Sequence, residues 1–226
     1  MFDIAIRDGV LQAAAPDVRW LSMGWDGGFR DGGAAYNVTV PDDFTRRDLS
    51  VYISNRLEDA GFSSSGPALL TGVAMENARG ASLGPVNAIT TVGLSNPASL
   101  PLREGNGDAH SSESDTFTGP GTVNLIVGTG RKLDETGLLT LLGEVVEAKT
   151  GTLLPTTGFT GTTSDGVIVG SDRTGKPAQF AGSSTEVGDA ARGCVRDAIL
   201  AALDAQYPGS GPPASVAAAR DGVVTS

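Results

Sequence analysis

Alternation of apolar and polar residues predicts strands over the first 40 residues of the chain. The segment "FDIAIRDGVLQAAA" alternates on both sides of Asp8-Gly9, a dipeptide that favours a hairpin turn. Glycine-rich "ENARGASLGP" is interpreted as a loop. Further strands are predicted by the runs "VRWLSMGWDGG", "AAYNVTV", "PALLTGV", "VNAITTVGLSNPASL", "TVNLIVG", "DGVIVG" and "AQFAG".

Apolar residues that recur every three or four positions predict three helices. The first is "TRRDLSVYISNRLEDAG", with Thr45 as its N-cap and Gly61 at its C-terminal cap position. The second and longest is "DETGLLTLLGEVVEAKTG". The third begins at a capping box made by Ser183 and Glu186 and continues to about residue 206.

Helices interspersed among strands favour an α/β or α+β fold. We expect a single layered domain at residues 1–207, in which a mixed β-sheet packs with about three main helices. Within it, residues 103–121 form a polar insertion with almost no apolar content, and residues 208–226 are expected to be a flexible tail. The pattern predicts neither the strand order nor the oligomeric state.

The chain is acidic and poor in lysine, which indicates a saline environment. Its net charge is −10, with 26 acidic against 16 basic residues, and its lysines are Lys132, Lys149 and Lys176. In ~1 M salt the screening length is only ~3 Å, so that acidic self-repulsion costs little. We therefore expect a halophilic protein, an ordinary acidic cytosolic protein being the alternative. A basic stripe that would bind nucleic acid is absent from the sequence.

The single cysteine and the single histidine limit the kinds of site that the chain can form. Cys194, the single cysteine, excludes an internal disulfide, and its spacing from Val187, Ala191 and Ala198 predicts a buried apolar role. His110, the single histidine, falls in the polar insertion, so we expect neither a histidine base nor a bound metal. Because we find no signal peptide and no run of ~18 apolar residues, we expect a cytoplasmic protein with no membrane partner.

Two glycine motifs have the spacing of nucleotide sites but lack a required residue. "VIVGSDRTGKP" resembles a P-loop, yet Pro177 stands where Ser or Thr must bind magnesium. "IVGTGRKL" has Leu133 where a dinucleotide-binding turn needs its third glycine. We interpret the first as a hairpin turn and the second as a loop.

Lys149 lies on the apolar face of the second helix. With Leu138 at zero and 100° per residue, the apolar side chains fall between about −60° and +100°, Lys149 at about 20° and Glu147 at about 180°. An ammonium aimed at the core must be paired or functional. Alternatively its stem is buried and its amine reaches water at the helix end. Glu147 is expected in solvent.

The loop "TGTTSDGVIV" places Thr162, Thr163, Ser164 and Asp165 together at the start of an apolar strand. A carboxylate held beside hydroxyls suits a general base or an activated nucleophile. Asp-Gly is also a common turn dipeptide, so a purely structural role for Asp165 stays open.

Three asparagines lie in or at the end of apolar strand patterns: Asn37, Asn96 and Asn124. A buried amide needs hydrogen-bond partners, which a ligand rich in amides can supply. The protein backbone can supply them as well, and "SNP" around Asn96 is a turn signal.

Six blocks of the sequence together resemble a known family: "WLSMGWDGGF", "YNVTVP", "ALLTGVAMENARGASLGPVNAITTVGLSNP", "VNLIVGT", "VEAKTGTL" and "TGTTSDGVIV". In this order, over most of residues 18–206, they resemble the adenosylcobinamide amidohydrolases of archaeal corrinoid salvage. The resemblance implies cleavage of the amide between aminopropanol and the corrin ring, which gives adenosylcobyric acid for cobalamin synthesis. The corrinoid is then the substrate, and no separate cofactor is expected.

Two chemical schemes can hydrolyse this amide without histidine. In the first, which we prefer, Asp165 is the general base for water, and Lys149 stabilises the oxyanion or protonates the leaving amine. In the second, Ser164 or a neighbouring threonine attacks after activation by Lys149.

A corrin fringed with carboxamides suits an open cleft lined by Asn37, Asn96, Asn124 and Thr162. Arg79 either contacts a polar side arm of the substrate or lies on a surface loop without contacting the substrate. Two other functions stay open, a non-hydrolytic corrinoid-binding protein and a hydrolase of a different amide.

Overall fold

The computed structural model describes residues 2–41, 43–63, 65–98 and 121–213. Of the predicted polar insertion it describes Gly121, so the rest of that segment, with His110, lies outside the described residues. The predicted tail lies outside them from residue 214 onward.

Three α-helices are interspersed among ten strands in the described part of the chain. In chain order they are β1 (Asp3–Arg7), β2 (Val10–Ser22), β3 (Gly28–Thr39), α1 (Leu49–Asp59), β4 (Ala68–Thr71), a short 3-10 turn (Met75–Asn77), β5 (Arg79–Leu83), β6 (Val86–Val92), β7 (Pro97–Ala98), β8 (Val123–Lys132), α2 (Glu135–Thr157), β9 (Gly161–Thr162), β10 (Gly166–Pro177) and α3 (Glu186–Gln206). None of these helices has the length and apolarity that crossing a membrane requires.

Eight strands form one mixed sheet in the order β4-β3-β2-β10-β8-β6-β5, with β1 pairing to β2. The pairs β3–β4 and β8–β10 are parallel, and the others are antiparallel. The short strands β7 and β9 pair separately. The prediction of an α/β arrangement in which a mixed sheet packs with three helices is therefore confirmed.

A bulge in β2 divides the sheet into two halves. The β2–β3 register shifts between Ala14 and Val18, and such an insertion bends a strand. The inner faces of the two halves meet in a core that contains Trp20, Leu69 and Ile168. Helix α1 covers the outer face of the half that contains β1 and β4, whereas α2 and α3 cover the half that contains β6, β8 and β10.

The parallel pair β8–β10 brings two distant segments together. Asn124 lies opposite Gly166 in this pair, and from there both strands are buried for several residues because each face of the sheet is covered. One and two residues before this pair, Val123 therefore lies beside Asp165 and Thr122 beside Ser164, although these segments are far apart in the sequence.

Two predicted helix caps are wrong. Helix α1 begins at Leu49 with Asp48 as its N-cap, so Thr45 does not cap it. Helix α3 is capped by Thr185, whose hydroxyl accepts the Gly188 N–H at 3.1 Å, rather than by Ser183. Neighbouring Ser and Thr residues compete for the cap position, and packing decides between them.

Three glycine-rich segments for which the sequence pattern predicts turns or loops are strands. The P-loop-like motif lies inside β10, the dinucleotide-like motif lies in β8 except for Leu133, and the segment after residue 78 forms the β5–β6 hairpin. Gly170 packs against the ring of Trp20, and Gly128 packs against Phe2, where a Cβ would overlap the ring. These glycines thus make room for aromatic side chains. The run "AQFAG" forms no strand.

Replacing Gly170 by alanine is expected to lower the free energy of unfolding by about 1–3 kcal/mol, because the added methyl group would overlap Trp20. Gly143→Ala in α2 is the matched control, since its Cβ would meet nothing within 4 Å and should stabilise the helix by up to about 1 kcal/mol. Denaturant titration of both variants measures the difference. Equal stabilities would contradict this account of Gly170.

Candidate active site

A buried ion pair joins α2 to the loop before β10. Lys149 Nζ contacts Asp165 Oδ2, and the two side chains are 9% and 12% exposed. The ammonium also lies 3.4 Å from the carbonyl oxygen of Thr160. The prediction that Lys149 points inward is confirmed, and its charge is neutralised by a group 16 residues away.

Lys149 lies in the middle of its helix because α2 extends further than its pattern predicts. The predicted end at Gly151 is wrong, since the helix continues to Thr157. In these last turns the hydroxyls of Thr152, Thr156 and Thr157 donate to backbone carbonyls four residues earlier, at 2.7 to 2.8 Å. The alternative in which the amine reaches water at the helix end is therefore also wrong.

The Asp165 carboxylate is held by four donor groups. Besides Lys149 it accepts the Val123 N–H at 3.0 Å, the Thr162 N–H at 3.1 Å and the Thr162 hydroxyl. A carboxylate has about four acceptor sites, so these partners occupy it fully. They also close the loop from residue 162 to residue 165 and fix it against the start of β8.

Gly161 is the residue that lets the ion pair lie against the backbone. A Cβ at this position would overlap Asp165 Oδ2 and would lie 2.5 Å from Lys149 Nζ. Its φ of +153° is also one that other residues rarely adopt. The glycine in "TGTTSD" was the available sequence signal for this close approach, but the pattern alone does not show what approaches it.

A second polar cluster surrounds Ser164. This exposed hydroxyl lies 3.1 Å from Thr122 Oγ1 and 3.1 Å from the Gly121 carbonyl oxygen. Asn96 Nδ2 donates to Thr163 Oγ1 at 2.8 Å and to Ser164 Oγ at 3.3 Å. Asn96 Oδ1 is buried and has no hydrogen-bond partner in the described part of the chain. Thr122 is a member of this cluster that sequence reasoning missed.

Lys149 does not contact Ser164. Its described partners are Asp165 and the Thr160 carbonyl oxygen. The structure therefore brings Asn96, Ser164, Asp165 and Lys149 into one neighbourhood, but it offers no direct activation of the Ser164 hydroxyl by the ammonium.

The other two asparagines bind each other. Asn124 Nδ2 donates to Asn37 Oδ1 and to the Leu70 carbonyl oxygen, both at 2.9 Å, and Asn37 Nδ2 donates to Thr91 Oγ1 at 2.9 Å. Asn37 and Asn124 are 3% and 2% exposed. This geometry favours a structural role, in which their amides tie the two halves of the sheet together. Their assignment as substrate ligands stays a prediction.

Arg79 and Glu147 lie on the surface. The Arg79 guanidinium donates to the carbonyl oxygens of Glu76 and Ala78, at 2.7 and 2.8 Å, from the edge strand β5. Its contact with a substrate stays a prediction. Glu147 is exposed, as predicted, and binds Arg192 at 2.8 Å.

Cys194 is buried as predicted, and burial raises the pKa of its thiol.

A groove of about 720 Å³ runs between α2 and α3. Ala148 and Thr152 line it, but Lys149 and Asp165 do not, so this groove is not the amide-lined cleft that we expected beside the ion pair. Within residues 2–41, 43–63, 65–98 and 121–213, no group of three His, Cys, Asp or Glu side chains could hold a metal ion. The prediction that no metal is needed is not tested by this arrangement.

Comparison with known proteins shows the family to which the chain belongs. A family model described as adenosylcobinamide amidohydrolase matches residues 3–211. The chain belongs to the adenosylcobinamide amidohydrolase family. It is 47% identical to the adenosylcobinamide amidohydrolase of Halobacterium salinarum, an alignment that covers 100% of this chain and 96% of the relative. The chain is 27% identical to the adenosylcobinamide amidohydrolase of Methanosarcina mazei, over 83% of this chain and 91% of the relative.

Among solved structures, this chain is similar to the L-aminopeptidase D-Ala-esterase/amidase of Ochrobactrum anthropi. The identity is 13% and the TM-score 0.41, and the match covers 90% of this chain and 83% of that chain.

Gly161→Ala is expected to displace the Lys149–Asp165 pair, because its methyl group would occupy the place of the carboxylate oxygen. Amide hydrolysis should fall at least ~10²-fold if the pair takes part in the reaction. The control is Gly158→Ala, which replaces a glycine with φ of +79° whose Cβ would meet nothing within 4 Å. This control introduces backbone strain without touching the pair. Equal activity of the two variants would argue against a role for the pair.

Proposed function

We propose that this protein hydrolyses the amide bond between aminopropanol and the corrin ring of adenosylcobinamide. The observation that carries the proposal is the buried Lys149–Asp165 pair, whose members come from two of the blocks that resemble the family. Membership of the adenosylcobinamide amidohydrolase family supports the substrate. A corrinoid is then substrate and not cofactor.

Amide hydrolysis needs a proton for the leaving amine and positive charge near the tetrahedral oxyanion. Lys149 can supply both, because its ammonium is held in a poorly hydrated place where electrostatic interactions are stronger than in water. Asp165 keeps this ammonium in position and accepts a proton during the reaction. Ser164 offers an exposed hydroxyl to the substrate beside the pair, and Asn96 and the buried Thr122 hold this hydroxyl in place.

Incubation with adenosylcobinamide tests the proposal. We expect free aminopropanol and a corrinoid whose mass matches adenosylcobyric acid. Binding of the corrinoid without a mass change would instead indicate a non-hydrolytic binding protein. Cleavage of simple amides but not of the corrinoid would indicate a hydrolase of a different amide.

Lys149→Met and Asp165→Asn are each expected to lower the rate of aminopropanol release by about 10²–10⁴-fold. Each also leaves a buried group without its partner, which costs about 3–5 kcal/mol of stability. The double variant removes both charges and should recover much of this stability while it stays inactive. Glu147→Gln, two residues away on the exposed face, is the control. Near wild-type rates in the folded double variant would exclude the pair from catalysis.

We also infer that the protein works in a saline cytoplasm. The net charge of −10 supports high salt, and the Halobacterium relative is consistent with it. The melting temperature should rise as KCl increases from 0.1 M to 3 M, most steeply below about 1 M, where screening of like charges changes most. Sucrose, which stabilises by exclusion alone, is the comparison. A melting temperature that does not change with KCl would contradict this inference.

A further inference from the structure

The hydroxyls of the 160–164 loop differ in what they bind. Thr160 Oγ1 donates to the Ala98 carbonyl oxygen at 3.1 Å, Thr163 Oγ1 accepts from Asn96, and Ser164 Oγ donates to the Gly121 carbonyl oxygen. Thr162 is different, because its hydroxyl donates to a carboxylate, Asp165 Oδ1. Of these four loop hydroxyls, it therefore has a base as its hydrogen-bond acceptor.

The same carboxylate holds the ammonium on its other oxygen. Asp165 Oδ1 accepts the Thr162 hydroxyl, and Asp165 Oδ2 accepts Lys149 Nζ. A hydroxyl, a carboxylate and an ammonium thus form one continuous hydrogen-bonded line in a poorly exposed place. The Ser164 N–H also points at Thr162 Oγ1, at 3.5 Å, where it can favour negative charge on that oxygen.

We propose that Thr162 is the nucleophile of the reaction, an assignment that rests on the proposed function. This role replaces the water-base role of Asp165, whose acceptor sites are filled by Lys149, Val123 and Thr162 itself. A water molecule would have to displace one of these donors before the carboxylate could activate it. The Thr162 hydroxyl is already in place.

In the acylation step, Thr162 Oγ forms a bond to the amide carbon while its proton passes to Asp165 Oδ1. The carbon–nitrogen bond then breaks, and Lys149 gives a proton to the nitrogen, so that aminopropanol leaves as a neutral amine. The corrin acyl group is left as an ester on Thr162. Transfer of the proton from the neutral acid of Asp165 to the neutral amine of Lys149 restores the ion pair.

In the second step, water attacks the ester carbon and gives its proton to Asp165. The carbon–oxygen bond to Thr162 breaks, and Lys149 returns a proton to Thr162 Oγ. Transfer of the proton from the neutral acid of Asp165 to the neutral amine of Lys149 again restores the ion pair, so the products are the corrin carboxylic acid and the original enzyme. Charge is conserved in both steps because the pair accepts one proton and releases one.

The experiment measures partition of the acyl group between water and hydroxylamine. With an ester intermediate, hydroxylamine converts part of the product into a corrin hydroxamate. If acylation limits the overall rate, hydroxylamine leaves the rate of aminopropanol release unchanged. If deacylation limits it, acid-quenched enzyme gains the mass of the acyl group on the peptide that contains Thr162. Direct attack by water gives neither result, since hydroxylamine would then compete as a nucleophile and speed up aminopropanol release.

Three variants locate the ester. In Thr162→Val the rate of aminopropanol release should fall at least ~10³-fold, and no hydroxamate should form. Thr162→Ser should still release aminopropanol and form hydroxamate, each at a reduced rate. Thr140→Val, which removes a hydroxyl that donates to the Thr136 carbonyl oxygen on the surface of α2, is the matched threonine-to-valine control and should behave as wild type. An ester found on Ser164, or unchanged partition in Thr162→Val, would overturn the assignment. If the wild-type protein hydrolyses the corrinoid without forming an ester, Thr162 is not the nucleophile, but the proposed function stands. If the wild-type protein does not release aminopropanol, the proposed function itself fails.

Discussion

A buried charge must be matched by an opposite charge and by hydrogen-bond donors, and this constraint organises the candidate site. Removing Lys149 and Asp165 from water is costly, and their attraction offsets this cost only when the remaining acceptor sites are also filled. Val123 and Thr162 fill them through their N–H groups and one hydroxyl. The ion pair therefore requires β8, β9 and α2 to meet at one place, and Gly161 is needed because any side chain there would occupy the same space.

The strand pairing of the sheet brings these elements together. Parallel pairing of β8 with β10 places the residue before each strand at one end of the sheet. The hydrogen bonds that join Asn37, Asn124 and Thr91 tie the two halves of the sheet near the same end. A rigid support of this kind suits a catalytic group, because displacement by about 1 Å can cost a factor of ~10² in rate.

Local pattern predicted the kinds of element well and several of their limits poorly. Most predicted strands and the three predicted helices appear where alternation and helical periodicity indicate them, and the helical wheel of α2 places Lys149 inward. The run "AQFAG" is an exception. The errors have physical causes. Thr185 rather than Ser183 caps α3 because packing chooses among adjacent hydroxyls. Helix α2 passes Gly151 because its last turns are buried at Thr152, Leu153 and Thr157 by packing that the local pattern does not show. The glycine-rich segments of β8 and β10 resemble turns in sequence because the aromatic rings that they contact, Phe2 and Trp20, are distant in sequence.

By itself the sequence determined the class of fold, the acidic surface, the inward direction of Lys149 and the likeness to a family of amide hydrolases. These follow from periodicity, composition and short blocks, which are properties of neighbouring residues. Tertiary structure alone decided that Asp165 is the partner of Lys149, that Thr162 rather than Ser164 donates to that carboxylate, and that Asn37 and Asn124 bind each other. Such pairings depend on strand order and on the bend of the sheet, because hydrogen bonds and ion pairs form between groups that folding brings within about 3 Å.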